Sequence, residues 1–204
     1  MAITSFSYAI LRSARENGLL PQSGSILEFG EANWYGDVPI EALAQDIQAF
    51  IEPGERQSKL EARLADVLQQ DQVGIAFGLA KVFYGVFFAS DDTTAIDFDG
   101  TDDCLKLDLN GPVTLDRQFD VTINNGTAEH IFNMAQFFAT QHDTTRPGGL
   151  MIHEGPMIKG WVDHGFVNFQ PTLFFDMAAA NGYQIELFCI GAIEPLTAHL
   201  FDSR

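Results

Sequence analysis

The sequence predicts an α/β protein with a doubly wound, mostly parallel sheet, and three observations carry this prediction. The first is FDVTINNGTAEHIFN at 119–133, which reads as a strand, a tight turn and the start of a helix. The second is RPGGLMIHE at 146–154, where a Pro-Gly-Gly interruption precedes a buried apolar strand. The third is the pair of short apolar runs at 25–30 and 93–100, with helical patterns between them. Strands that alternate with helices are typical of a parallel sheet covered on both faces.

Strands are expected to begin near residues 25, 93, 105, 119, 149 and 183 and to form one sheet, with the strand at 119–123 in its interior. Asn124, Asn125 and Gly126 follow that strand, and such residues tolerate the left-handed backbone of a sharp turn. Thr127 is the predicted N-cap of a helix whose apolar positions continue to Phe138. A lead helix is predicted at 6–17.

The segment 37–90 is longer than a usual connection between strands, and we interpret it as a helical insertion within a single domain that spans 1–204. Pro39 opens a first helix, and Pro53 and Gly54 end it before a second helix begins. The third helix, at 73–89, is nearly all apolar, with Lys81 as its single charge. Its length and its glycines favour a buried core helix or an oligomer surface over a membrane span. The first two helices are expected to cap the ligand site.

Composition limits the possible partners. The formal net charge of −17 argues against nucleic acid, because binding to nucleic acid depends on basic side chains that neutralise phosphates. The same charge disfavours anionic membranes, which leaves a small-molecule substrate as the expected partner, with a homo-oligomer possible. Two cysteines, Cys104 and Cys189, lie in apolar surroundings, as expected for thiols in a reducing cytosol. The N-terminal segment lacks a signal-peptide pattern, so a cytoplasmic protein is expected.

The pair EHIFN…RPGGLMI resembles a signature of class I S-adenosylmethionine-dependent methyltransferases. The run VDHGFVNFQPTLFFDMAAANGY at 162–183 resembles a bacterial small-molecule branch of that superfamily. The resemblance covers roughly residues 25–183 and implies a Rossmann-like methyltransferase fold with S-adenosyl-L-methionine as cofactor. It also implies methyl transfer to a small-molecule or carbohydrate-like acceptor.

The resemblance implies a set of cofactor-binding residues at successive strand ends. Glu28 and Gly30 correspond to the acidic residue and the first glycine of the first motif. Asp97, with Asp99 as the substitute, corresponds to the ribose ligand, since a carboxylate there can accept hydrogen bonds from both hydroxyls. Asp108 corresponds to the acidic position that meets the adenine amino group. The other predicted cofactor ligands are polar residues at turns that follow strands: Asn33, Asn124 and Asn125.

Each of these assignments has a structural alternative. Asp97 lies close to several other acidic residues and could belong to a solvated acidic loop. Asp108 precedes Asn-Gly-Pro and could simply start a turn. Residues 31–37, EANWYGD, stand where a second and third glycine of the first motif are expected, so Gly30 could mark an ordinary strand exit.

Four residues are the assigned candidates for acceptor chemistry, Glu129, His130, His153 and His164, and Glu154 is a fifth polar residue considered with them. A histidine with a pKa near neutral suits deprotonation of a hydroxyl acceptor. His164 lies in an aromatic, glycine-containing loop at 158–170 that is expected to cover the acceptor, with Asp163 and Gly165 on either side. His130 could instead pack or cap a helix, and His153 could be a hydrogen-bonded structural histidine.

No metal ligands are assigned, because no established ligand spacing such as HExxH is present. Two other functions remain open. A catalytically silent methyltransferase-like binding or scaffold domain would account for the altered glycine loop after Gly30. A metal-dependent hydrolase would combine Glu129, His130, His153 and His164 in one site.

Overall fold

The computed structural model describes residues 1–157, 164–192 and 196–201. This part of the chain forms eight strands and six α-helices. In chain order they are β1 (Ala2–Ile3), α1 (Ser5–Glu16), β2 (Ser25–Phe29), β3 (Asn33–Trp34), α2 (Ile40–Phe50), α3 (Glu55–Val67), α4 (Gln72–Phe87), β4 (Asp92–Ile96), β5 (Phe119–Asn125), α5 (Met134–Thr144), β6 (Thr145–Glu154), α6 (Pro171–Asn181), β7 (Phe188–Ala192) and β8 (Thr197–Phe201).

The central sheet has four parallel strands in the order β4-β2-β5-β6, which confirms an α/β fold with a mostly parallel sheet. β2 and β5 form its interior, as predicted for 119–123, with Ile26 opposite Val121. The chain leaves β2 toward β4 on one side and returns to β5 on the other. The direction of chain progression therefore reverses between β2 and β5, where doubly wound sheets bind ligands.

Two of the six strands predicted for this sheet are not part of it. Residue Leu105 makes only an isolated parallel bridge to Ile96, because the chain turns at Asp108, whose carboxylate accepts the backbone N–H of Asn110. The strand predicted from residue 183 begins at Phe188 and pairs antiparallel with β8 in a separate sheet. Its backbone groups bond to β8, which follows closely in the chain, rather than to the edge strand β6.

The helix after β5 begins later than predicted. The Asn124 side chain accepts the backbone N–H groups of Thr127 and Ala128 at 3.1 and 3.0 Å, and this closes a single 3-10 turn over Ala128–His130. Ile131 is extended, so the chain leaves helical geometry there. Asn133 then caps α5 by accepting the N–H of Gln136. Thr127 is therefore not the N-cap of an α-helix.

The Arg-Pro-Gly-Gly segment forms a bulge in β6. Thr145 pairs with Phe119 and Leu150 with Val121, so the register shifts between these two pairs. Gly148 has φ +76°, which an L side chain rarely adopts. At Gly149, a Cβ would lie 3.0 Å from the Asp120 carbonyl oxygen of the neighbouring strand. Glycine at both positions lets the strand resume pairing directly beside β5.

Each face of the sheet has its own apolar core. One core joins β2 and β5 to the helices that precede β4, and its largest members are aromatic side chains of α4 such as Phe83 and Phe87. The other joins the opposite faces of the same strands to α5, with Phe29 against Phe137 at a centroid distance of 5.2 Å. Coverage on both faces explains why the strands read as continuous apolar runs.

The predicted helices of 37–90 are present, with α2 starting after Pro39 and α3 after Gly54. α2 and α3 pack against α4 through buried leucine and isoleucine side chains, including Leu43, Ile47 and Leu60. Among the described residues, no helix has both the length and the apolarity required to cross a bilayer.

Candidate functional site

A cavity of about 410 Å³ lies at the carboxyl ends of β2, β4 and β5, where the direction of the sheet reverses. Its volume is within the range of small-molecule sites. The described residues that line it come from the strand ends, the loop after β4 and the turn after β5: Met1, Gly30, Ile96, Asp97, Phe98, Asp99, Leu107, Asp108, Leu109, Asn110, Gly126, Thr127, His130 and Ile131. None of these residues belongs to 37–90, so the predicted cap helices do not contribute to the described lining.

Two glycines form the floor of the cavity where the strands end. Gly30 and Gly126 have φ of +83° and +79°, a backbone conformation that favours glycine. A Cβ at Gly30 would lie 2.8 Å from the Thr127 hydroxyl oxygen. That hydroxyl is held in place because it donates a hydrogen bond to the carbonyl of Phe29. The two strand ends are thus bonded together, and backbone rather than side chains faces the cavity at this point.

Three carboxylates line the same cavity. Asp97 accepts the backbone N–H of Glu31 at 2.8 Å and that of Asp99 at 2.9 Å, which fixes its side chain beside the strand end. Asp108 accepts both the N–H and the side-chain amide of Asn110, and these hydrogen bonds lower the pKa of Asp108. No lysine or arginine is present among the described lining residues, and the α-amino group of Met1 is a single nearby cation whose charge acts on Glu129 and His130. The cavity therefore suits a ligand with hydroxyl, amine or cationic groups and repels phosphate.

The three asparagines predicted as cofactor ligands make structural contacts outside the described lining. Asn33 pairs with Ala2 between β3 and β1. Asn125 donates its side-chain amide to the Ala2 carbonyl at 3.0 Å, and Asn124 is buried as the cap of the 3-10 turn. The Asn33 backbone and the side chains of Asn124 and Asn125 hold the segments around the cavity in place, and none of the three residues belongs to its described lining.

Glu28 also lies outside the lining, on the face of the sheet that packs against α4. It is 1 % exposed, forms a salt bridge with Lys81, and accepts hydrogen bonds from the Tyr84 hydroxyl at 3.1 Å and the Ala32 N–H at 2.9 Å. Burial raises the pKa of Glu28, and Lys81 is the main opposing influence. Lys81 also approaches Glu31 at 3.7 Å. Sequence analysis identified Lys81 as the lone charge of its helix but not its role in this ion pair.

Three of the four catalytic candidates lie together at one side of the cavity. His130 lines the cavity, and its ring stands edge-on to the ring of His164 at a centroid distance of 4.9 Å. The His164 Nε2 lies 3.6 Å from the Glu129 Oε1. Glu129 is 1 % exposed, and burial raises the pKa of its carboxyl group. We refer to Glu129, His130 and His164 as the Glu-His-His cluster.

A backbone contact brings His164 to the other two residues. The N–H of Phe166 donates to the Glu129 carbonyl at 2.7 Å, so the chain near residue 165 runs directly over the 3-10 turn. Gly165 permits this approach, because a Cβ there would lie 2.8 Å from the same carbonyl oxygen. Asp163, which the sequence analysis placed in this covering loop, lies outside the described residues.

His153 points away from the cavity, into the second core. Its ring packs against Phe138 and Phe174 at centroid distances of 5.5 Å, and its Nδ1 is buried without a hydrogen-bond partner among the described residues. Burial lowers the pKa of His153 to about 4. Its ring packs among aromatic side chains of the second core and does not belong to the described lining, so the structure places His153 apart from the other catalytic candidates.

The neighbouring Glu154 lies on the opposite face of β6, where it accepts a hydrogen bond from the Ser7 hydroxyl at 3.0 Å. Burial raises the pKa of Glu154 to about 7. Sequence analysis did not assign several residues that line the cavity, among them Thr127, Asn110 and Phe98. The Asn-Gly pair at 110–111 marked a turn, which was the available signal for Asn110.

Comparison of the chain with protein-family models, with curated proteins and with solved structures found no match in any of the three.

Proposed function

We propose that this protein is a methyltransferase that uses S-adenosyl-L-methionine to methylate a small-molecule acceptor. The observation that carries the proposal is the acidic cavity at the switch point of the sheet, in which Gly30, Gly126, Asp97 and Asp108 meet. The resemblance of EHIFN…RPGGLMI to class I methyltransferases supports it. We propose in addition that the α/β architecture is a Rossmann-like methyltransferase fold.

The lining residues fit this cofactor better than a phosphate-containing one. Asp97 and Asp99 can accept hydrogen bonds from ribose hydroxyls, and Asp108 can accept one from the adenine amino group. A cofactor with a sulfonium and an ammonium group gains from three nearby carboxylates, whereas a dinucleotide would place its phosphates beside them. The backbone at Gly30 and Gly126 allows close approach of the ligand at the strand ends.

The cofactor supplies an electrophilic methyl group, so the chain has to position the acceptor and receive its proton. Among the described residues, the Glu-His-His cluster can position the acceptor and promote loss of its proton, since His130 lines the cavity and Glu129 and His164 adjoin His130. Exposed Phe132 and Phe166 lie next to the cluster, with ring centroids 6.0 Å apart, and can contact an apolar part of the acceptor.

We also propose a cytoplasmic location, which the two free cysteines support.

Binding of S-adenosylhomocysteine, measured by isothermal titration calorimetry, tests the proposal directly. We expect Asp97→Asn to weaken binding about 10- to 100-fold, because hydrogen bonds to a charged group contribute about 1.5–3 kcal/mol. Asp103→Asn is the matched control, since it removes the same charge from the same loop but does not line the cavity. Failure of the wild-type protein to bind this ligand would reject the function itself. Equal affinity of both variants would reject Asp97 as a ligand.

A catalytically silent binding domain is the second candidate, and one observation favours it. Glu31, which follows Gly30 in place of a small residue, is 4 % exposed and accepts hydrogen bonds from the backbone and hydroxyl of Thr101. This contact fixes the turn in a way that the glycine-rich form of the motif does not. Such a domain would bind S-adenosylhomocysteine with the same dependence on Asp97 and would show no methyl transfer to any acceptor.

A further inference from the structure

We propose that the Glu-His-His cluster binds a divalent transition metal ion, with Zn²⁺ as the representative ion, at the edge of the cavity. Glu129 contributes a carboxylate oxygen, and His130 and His164 each contribute a ring nitrogen. The metal site is inferred from the geometry of these three residues and does not depend on the proposed function. Its consequence for the acceptor rests on the proposed function.

The distances within the cluster are close to those of a metal site. One ligand atom from each residue lies within 4.8 Å of the other two. The Glu129 Oε1 and His164 Nε2 are 3.6 Å apart. Two ligands bound to one tetrahedral ion at about 2.1 Å are separated by about 3.4 Å. Small side-chain rotations are therefore enough to bring the three atoms onto one ion.

The environment of Glu129 supplies an independent argument for a cation. Its side chain is 1 % exposed, and its Oε2 is buried without a hydrogen-bond partner among the described residues. Within the same part of the chain, its carboxylate makes no ion pair with lysine or arginine, and the Met1 α-amino group acts on it only through its charge. A buried carboxylate that lacks such partners carries a large desolvation penalty. A bound metal ion would compensate this penalty and occupy the unpartnered oxygen.

The backbone holds the three ligands in place without help from the ion. Glu129 and His130 are adjacent in the 3-10 turn that Asn124 closes from the end of β5. The hydrogen bond from Phe166 N–H to the Glu129 carbonyl fixes the approach of the segment that carries His164. The ligands therefore come from a strand-end turn and a second segment that is bonded to it, an arrangement that suits a site formed before the metal binds.

The donor set identifies the class of ion. Imidazole nitrogens favour Zn²⁺, Co²⁺, Ni²⁺ or Fe²⁺ over Mg²⁺ and Ca²⁺, which prefer oxygen ligands. Three protein ligands leave at least one coordination position open, as in catalytic sites. An ion in that position would bind and polarise an acceptor hydroxyl and lower its pKa. The hydroxyl proton would pass to water, and the oxygen would then form its bond to the methyl carbon as the bond from carbon to sulfur breaks. The acceptor class implied is a hydroxyl compound.

The test is a calorimetric titration of the metal-depleted full chain with Zn²⁺, in the presence of excess Mg²⁺ to occupy acidic surface sites. We expect one Zn²⁺ per chain. We expect each of three substitutions to weaken Zn²⁺ binding: Glu129→Gln, His130→Asn and His164→Asn. The loss should be at least about 10- to 100-fold, which is the loss caused by removing a residue that only hydrogen-bonds to a metal ligand. His199→Asn is the control, because it removes an exposed histidine of β8, and it should leave the affinity unchanged.

A second readout uses Co²⁺, whose visible absorption should show nitrogen and oxygen ligands without thiolate charge transfer. Absence of saturable Zn²⁺ binding, or equal losses in His199→Asn and the cluster variants, would overturn the site. If Glu129→Gln does not fold, as judged by circular dichroism, His130→Asn and His164→Asn decide the question, since His130 is exposed and His164 is partly exposed. If the chain binds Zn²⁺ but not S-adenosylhomocysteine, the metal site is supported and the methyltransferase function is rejected. If it binds S-adenosylhomocysteine but not Zn²⁺, the metal site is rejected and the proposed function is retained.

Discussion

Replacing Lys81 with methionine is expected to lower the free energy of unfolding by about 3–5 kcal/mol at pH 7, because it leaves the buried Glu28 without its charge partner. Glu28 is 1 % exposed, and the Lys81 side chain is 20 % exposed. The Tyr84 hydroxyl and the Ala32 N–H would remain as neutral donors to the carboxylate. Urea denaturation followed by circular dichroism measures the change.

The loss should depend on pH in a defined direction. Burial already raises the pKa of Glu28 above its ordinary value of 4.5, and removal of Lys81 raises it further. A group with a raised pKa in the folded state stabilises the protein below its unfolded pKa, and that contribution is lost as pH rises. The deficit of Lys81→Met should therefore be small near pH 4.5 and grow toward neutral pH.

Two variants control for packing and for surface charge. Lys59→Met removes an exposed lysine that pairs with Asp91 at 3.1 Å, and it should change stability by less than about 1 kcal/mol. The double variant Lys81→Met with Glu28→Gln should recover much of the loss, because no buried charge remains. A double variant as unstable as Lys81→Met would instead attribute the effect to the shape of the side chain at position 81.

The second large effect is expected from the adjacent residues His153 and Glu154, whose pKa values burial moves in opposite directions. His153 has a pKa of about 4 in the folded protein against an ordinary 6.5, so its contribution is present above pH 6.5 and is lost as pH falls toward 4. Glu154 has a pKa of about 7 against 4.5, so its contribution is present below pH 4.5 and is lost as pH rises toward 7. Each shift corresponds to about 3 kcal/mol.

Single substitutions should separate these two opposing contributions. Relative to wild type, His153→Leu should gain up to about 3 kcal/mol as pH falls from neutral to 4, and it removes the unpartnered Nδ1. Glu154→Gln should gain a similar amount as pH rises from 4.5 to 7, and its amide oxygen can still accept from Ser7. Denaturation curves across this pH range measure both changes. Parallel curves for wild type and either variant would mean that the substituted group is solvated in the folded protein.

His153→Leu also tests the catalytic prediction for that residue. A core position implies that S-adenosylhomocysteine binds to the variant as it does to the wild type, once the proposed function is established by wild-type binding. A specific loss of this binding in a variant that remains folded would return His153 to the site.

The helices and the strands of the central sheet could be predicted where local signals agree with burial. Pro39 and the Pro53-Gly54 pair mark helix boundaries that the structure confirms, because proline at these positions cannot extend the preceding segment. A strand was predicted from residue 105, but the Asp108 turn ends the extended segment early. The start of α5 was predicted too early. Asn124 closes the 3-10 turn and Asn133 caps α5, whereas the sequence pattern indicated Thr127 as the helix N-cap.

The candidate site could be predicted in part, and the limit is the direction of side chains. Asp97 and Gly30 line the cavity because they follow strands whose carboxyl ends meet at one edge, and Asp108 lines it from the turn that follows the isolated bridge at Leu105. Glu28 and His153 lie at similar strand positions, yet they face a helix layer. In a sheet that is buried on both faces, the alternation of apolar residues does not reveal which face a polar residue occupies. The pairing of Glu28 with Lys81 spans 53 residues and leaves no local pattern.

The pairing of β2 sets the order in which this chain can fold. Near its start, the carbonyl of Gly24 binds a serine 66 residues later, and the N–H of Ser25 binds an aspartate 95 residues later. Both neighbours of the central strand are therefore distant in sequence, whereas α2, α3 and α4 contact one another within a continuous stretch. Closing such long loops before any pairing is gained makes folding slow, on the order of milliseconds to seconds. During synthesis α2, α3 and α4 can associate first. The edge of β2 that pairs with β5 remains unpaired until β5 has left the ribosome. Premature pairing of that edge with another chain is the hazard that this topology creates.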